Sequence, residues 1–160
     1  MKKKIIISDT SSLIILAKLN CFILLDNLFE KVLIPKRVIQ ELATKEDDIQ
    51  QKLINHPLFE IVECKDTELV ELLDNVLDYG ESEALALAKE RQLILLIDEK
   101  KGRKIAQTMN IKIIGLLGVL LLNYRHNKLT KDKIEGILHQ SGKLNFRLSN
   151  KLKQDLFSKL

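Results

Sequence analysis

The chain has no Trp, only 2 Cys, 2 Pro and 6 Gly in 160 residues, and its aromatic content is 4%. Cys21 and Cys64 stand alone, with no CxxC spacing to build a zinc ribbon or a disulfide framework, so both thiols are expected to be reduced and structural. The 3 histidines, His56, His126 and His139, share no ligand spacing, which argues against zinc or a His-based mechanism. Any metal would have to be held by oxygen. Scarce aromatics leave no row of rings for base stacking, so no preference for a nucleic-acid sequence can be read. Long hydrophobic runs are missing too. Met1 and the three lysines after it lead into an apolar run that Ser8 and Asp9 end too early for a secretory segment. Residues 116–122 fall far short of the roughly 20 that a membrane span needs. A soluble cytoplasmic protein without membrane contact is the expectation.

What is present suits one domain. With 46% apolar residues, a chain of this length can bury a single core. The net charge of +4 and pI near 9.0 are compatible with a polyanionic partner, although excess lysine also serves solubility. Short β-branched or apolar runs at residues 4–7, 32–34, 58–62, 93–97 and 112–115 predict strands. Helical spacing follows at 13–17, at 38–43 after Pro35, at 68–77, at 81–91 and at 116–124. Strands alternating with helices predict an α/β fold: a central parallel sheet of about five strands covered by helices on both faces. Residues 130–160 read as one or two amphipathic helices, with Leu152 and Leu156 on a shared face, forming a C-terminal extension to a core of about 4–125. That extension would serve as a lid or as an oligomer contact in a homodimer.

In open α/β sheets the ligand crevice lies beyond the carboxyl ends of the strands, which singles out Asp9 and Asp98. Asp9 is read equally as a ligand and as a helix N-cap. Glu41 lies at the margin of an apolar helical stripe, where a surface role is the simpler reading. Glu81 and Glu83 are separated by about 200° on a helix and must diverge. Asp78 and Glu81 have the spacing of a capping box, so Glu81 is expected to cap and Glu83 to face the site.

The stretches Ile7-Ser8-Asp9-Thr10-Ser11-Ser12, Pro35 with Glu41, Gly80-Glu81-Ser82-Glu83-Ala84-Leu85 and Leu96-Ile97-Asp98-Glu99-Lys100-Lys101-Gly102-Arg103, taken in order, resemble a PIN domain, closest to a branch of uncharacterised prokaryotic PIN-like proteins. The resemblance covers residues 4–122. It implies a metal-dependent ribonuclease, often the toxin of a toxin–antitoxin pair, with RNA as substrate and an antitoxin protein as partner. A non-catalytic PIN-like module binding RNA or protein is the alternative. Position by position it implies metal ligands at Asp9, Glu41, Glu83 and Asp98, with Glu99 competing with Asp98 and with Ser11 in support. Crowded carboxylates need a cation to ionise together, and Mg²⁺ or Mn²⁺ suits oxygen ligands. A receiver domain would need an Asp after the third strand, and a haloacid-dehalogenase phosphatase an Asp-x-Asp; the chain has neither. Lys100, Lys101, Arg103 and Lys104 follow Asp98 closely and are the nearest candidates to attract an RNA backbone, with a solvated helix start as the plainer reading. Lys143, Arg147, Lys151 and Lys153 form the other candidate path.

Overall fold

A computed structural model describes residues 4–146 and 148–160; Met1, Lys2, Lys3 and Arg147, each counted above among basic stretches, lie outside them. Five strands, β1 (Lys4–Ser8), β2 (Phe29–Pro35), β3 (Phe59–Val62), β4 (Ile94–Leu96) and β5 (Ile113–Ile114), form one all-parallel sheet in the order β3-β2-β1-β4-β5. The connections are helical, as parallel pairing requires. They run α1 (Thr10–Lys18), α2 (Ile23–Asp26), α3 (Lys36–Lys45), α4 (Asp47–Ile54), α5 (Thr67–Leu73), α6 (Tyr79–Arg91) and α7 (Lys100–Thr108), and after β5 come α8 (Leu116–Arg125), α9 (Lys131–Lys143) and α10 (Asn150–Ser158).

Alternation along the strands divides the core into layers. Ile7, Leu33, Leu95 and Ile97 pack with α5, α6 and α7, while Ile6, Val32 and Leu96 pack with α1, α2 and α8. Ile34 joins Leu13, Val38, Leu42 and Leu53 beneath α3 and α4. Helices therefore cover both faces, as the continuous apolar strands predicted. The helices α2 and α4 escaped sequence reading, α2 because it is only 4 residues long and α4 because its apolar stripe is Ile49 and Leu53 alone, while α7 was legible only as a solvated helix start. In α7 only Gly102 and Ala106 are buried, among lysines and arginine.

Helices end in the left-handed region at Asn20, Gln92, Asn110, Asn127 and Asn145, with φ from 54° to 65°. Asn tolerates that conformation through its short polar side chain. No described glycine has a positive φ. Among the described residues no helix is long and apolar enough to cross a membrane.

The C-terminal helices are built into the core instead of being hinged beside it. Ile134, Leu138 and Leu156 lie in the same cluster as Ile6 and Val119. The pair chosen from sequence splits: Leu156 is 4% exposed and Leu152 is 47% exposed. Leu156→Ala should therefore cost about 2–5 kcal/mol in denaturant unfolding and Leu152→Ala under about 1 kcal/mol. Equal, small effects would mean that α10 is not part of the cooperative unit.

Candidate active site

Strand order reverses between β1 and β4, and the crevice at that switch point receives the residues following both strands. Asp9 comes directly after β1 and is 1% exposed. Its N–H donates to the Leu96 carbonyl at 3.1 Å, tying the two strand ends together. Its Oδ1 accepts from Ser12 N–H at 3.0 Å and caps α1. Its Oδ2 is buried with no hydrogen-bond partner, the one such side-chain atom among the described residues. The cap reading of Asp9 thus uses one oxygen and leaves the other free.

Asp98 follows β4 with Ile97 between. Its Oδ2 accepts from Ser12 Oγ at 3.2 Å, and its Oδ1 accepts at 3.1 Å from Leu116 N–H in the first turn of α8. Ser12 holds both aspartates, one through its backbone and one through its hydroxyl. Sequence reading chose Ser11, which is exposed. The available signal was position: the third residue of a capped helix is the one whose N–H meets the cap. Arg103 Nη1 lies 3.9 Å from Asp98 Oδ1 and donates to the Ile97 carbonyl at 2.8 Å. Arg103 is therefore a partner of Asp98, while Lys100, Lys101 and Lys104 remain exposed. A Cβ at Gly115 would lie 2.7 Å from Asp98 Oδ1, so the carboxylate's seat requires glycine there.

The assignment along α6 is reversed. Asp78 Oδ1 alone caps the helix by accepting from Glu81 N–H at 3.0 Å. The Glu81 side chain turns inward, 7% exposed, where Asp78, Glu99 and Asp9 act on its charge. Glu99 caps α7 through Lys101 and Gly102 N–H. A Cβ at Gly102 would stand 3.2 Å from Glu99 Oε2 and 3.6 Å from Glu81 Oε2, so the two carboxylates converge on that glycine. Glu83 points the other way and accepts from Arg37 N–H at 2.9 Å. It serves α3, whose N-cap, Pro35, makes no side-chain cap hydrogen bond. Glu41 stays at the margin: Oε2 accepts from Thr10 Oγ1 at 3.1 Å, and Oε1 accepts from Gly80 N–H.

Burial dominates the electrostatics. It pushes the pKa of Asp9 up to about 7, opposed by Ser12 and reinforced by Asp98 and Asp78. It also pushes Glu81 up to about 8, helped by Asp78, Glu99 and Asp9. Asp98 is raised by burial against the pull of Leu116 N–H, Ser12 and Arg103. The Cys64 thiol, raised by burial to about 11, is no nucleophile at neutral pH. Among the described residues no three His, Cys, Asp or Glu side chains already stand at spacings that grip a metal ion. The donor chemistry nonetheless fits an oxygen-preferring cation at Asp9, because a buried carboxylate oxygen lacks any donor there.

A family model described as a PIN domain matches residues 5–160. No curated protein matches the chain.

The raised Asp9 pKa carries a stability consequence. The unfolded carboxyl ionises near 3.8 and the folded one near 7. Between these values the folded state holds a proton that the unfolded state has lost, so stability is greatest below the first and falls as pH rises through the second. The full shift is on the order of 4 kcal/mol. Asp9→Asn keeps a good N-cap and removes the titration. The metal-free variant should melt higher than the parent at about pH 8 and alike at about pH 4. A variant that melts like the parent at both would make Asp9 a cap alone.

Proposed function

The chain belongs to the PIN-domain family, to which nuclease-type function is generally ascribed, and we propose that it is a Mg²⁺- or Mn²⁺-dependent endoribonuclease. The observation that carries this reading is the buried, unpartnered Asp9 Oδ2 among Asp98 and Glu81 at the switch point. Asp9 would hold the cation through that oxygen, with Glu81 and Asp98 beside it. A bound divalent ion supplies the charge that acidifies water and neutralises a phosphate. The protein's own groups do the rest. Ser12 fixes the angle between Asp9 and Asp98 through its paired hydrogen bonds. Glu41 secures the start of α1 to the start of α6 by holding Thr10 and Gly80. Glu81, with a pKa of about 8, retains a proton near neutrality in the metal-free protein. The exposed Lys100, Lys101 and Lys104 supply positive charge at the rim, without which clustered carboxylates would repel an RNA backbone.

A non-catalytic RNA-binding module is the second reading. It is favoured by Asp98, whose oxygens are both already bonded.

Cleavage of single-stranded RNA by purified protein with Mn²⁺ or Mg²⁺, stopped by chelator, separates the two. Asp9→Asn and Glu81→Gln should each lower the rate on the order of a hundredfold or more. Glu83→Gln should act mainly through stability, because its carboxylate serves α3. If Glu83→Gln abolishes cleavage in a folded protein while Glu81→Gln does not, the assignment above is wrong. Replacing Lys100 and Lys101 by Ala should weaken RNA binding for all sequences and flatten the slope of log affinity against log salt by roughly 0.7 per lost phosphate contact. An unchanged slope would leave those lysines as solvated surface.

A further inference from the structure

Tyr79 is the only Phe or Tyr ring in the open among the described residues, at 49% exposure, in a chain without Trp. It opens α6 between Asp78, which caps Glu81 N–H, and Gly80, which donates to Glu41, while its own ring lies on the Glu83 side of the helix, about 200° round from Glu81. An exposed tyrosine normally samples several rotamers, yet this one is held at both ends. Its hydroxyl donates to Gln40 Oε1 at 2.9 Å, and the Arg37 guanidinium lies 4.2 Å from the ring centroid. Arg37 is itself fixed. Its Nη1 donates to Asp74 Oδ1 at 2.7 Å and to the Tyr79 carbonyl at 3.2 Å, and its N–H donates to Glu83. One ring face is covered by the cation, and the exposure belongs to the rest. A recess of about 250 Å³ lies alongside, lined in part by Gln40, Thr67 and Glu83.

We propose that Tyr79 is the stacking platform for one nucleobase of a single-stranded RNA, setting the position of the strand relative to Asp9 and Glu81. The inference rests on the ribonuclease reading and names a recognition element within it. A flat ring immobilised before binding loses little entropy when a base settles on it, and every base has a π-face to offer. Guanidinium on the far face leaves the near face free for a neutral base. The same restraint explains why Arg37, Gln40 and Glu83 converge on the start of α6: they set the ring's direction.

The test uses the full chain in metal-free buffer, so that binding is read without cleavage. Tyr79→Trp introduces the protein's only indole. Its emission should be quenched by a short oligoadenylate and left unchanged by an abasic oligomer of equal length. Tyr79→Leu should bind oligoadenylate about tenfold more weakly and the abasic oligomer equally well. Tyr79→Phe, which keeps the ring, should bind both like the parent. Binding of labelled oligoadenylate without indole quenching would overturn the inference, as would an equal loss for both oligomers in Tyr79→Leu, which would mark Tyr79 as a structural cover for Arg37. A parent that binds neither oligomer would bring down the ribonuclease reading itself.

Discussion

Taking a carboxylate out of water is tolerable only when donors, a proton or a cation replace its hydration. At Asp9 that replacement is half complete: Ser12 N–H serves one oxygen and nothing serves the other. The surroundings follow from this deficit. Asp98 receives a hydroxyl, a helix N-terminal N–H and a nearby guanidinium, so its burial is largely compensated. Glu81, deeper in charge and poorer in donors, is compensated by a proton near neutrality. A gradient of satisfaction runs across the crevice, with the least satisfied oxygen at the end of β1.

The use of glycine bears on the same point. Left-handed helix ends are given to asparagine and glutamine, and no described glycine has a positive φ. Instead Gly80, Gly102 and Gly115 lie where a Cβ would crowd Glu41, Glu99 and Asp98. In a chain with only 6 glycines, close approach of backbone to carboxylate takes up half of them. Substitution by Ala at Gly115 would meet Asp98 Oδ1 and Arg103 Nη1 together.

The sheet and its cover were legible because continuous apolar strands leave few alternatives to a two-faced parallel arrangement. Asp9 and Asp98 were legible for a related reason: a strand end has a defined address once the strand is recognised. Glu81 and Glu83 were not. Helical geometry dictated that they diverge, but the phase of a helix is read from its apolar stripe, and α6 is buried on every side from Gly80 to Ala88. With no polar face to point outward, nothing in the sequence marks which side meets the crevice. Arg103 was hidden differently. A run of basic residues shows its charge but not the direction of each side chain, and one turned back to the Ile97 carbonyl.

Because α6 carries Tyr79 and Glu83 toward Arg37 and Glu81 toward the crevice, its register is under constraint from two sides at once. Each inserted or deleted residue rotates everything beyond it by about 100°. Such a change between Asp78 and Glu83 would take Glu83 off Arg37 N–H or Glu81 out of the crevice. The exposed Asn75 and Val76 just before the cap carry no such burden. Length variation should thus be admitted on one side of Asp78 and refused on the other, which makes that residue a boundary between a segment free to drift in length and one that is not.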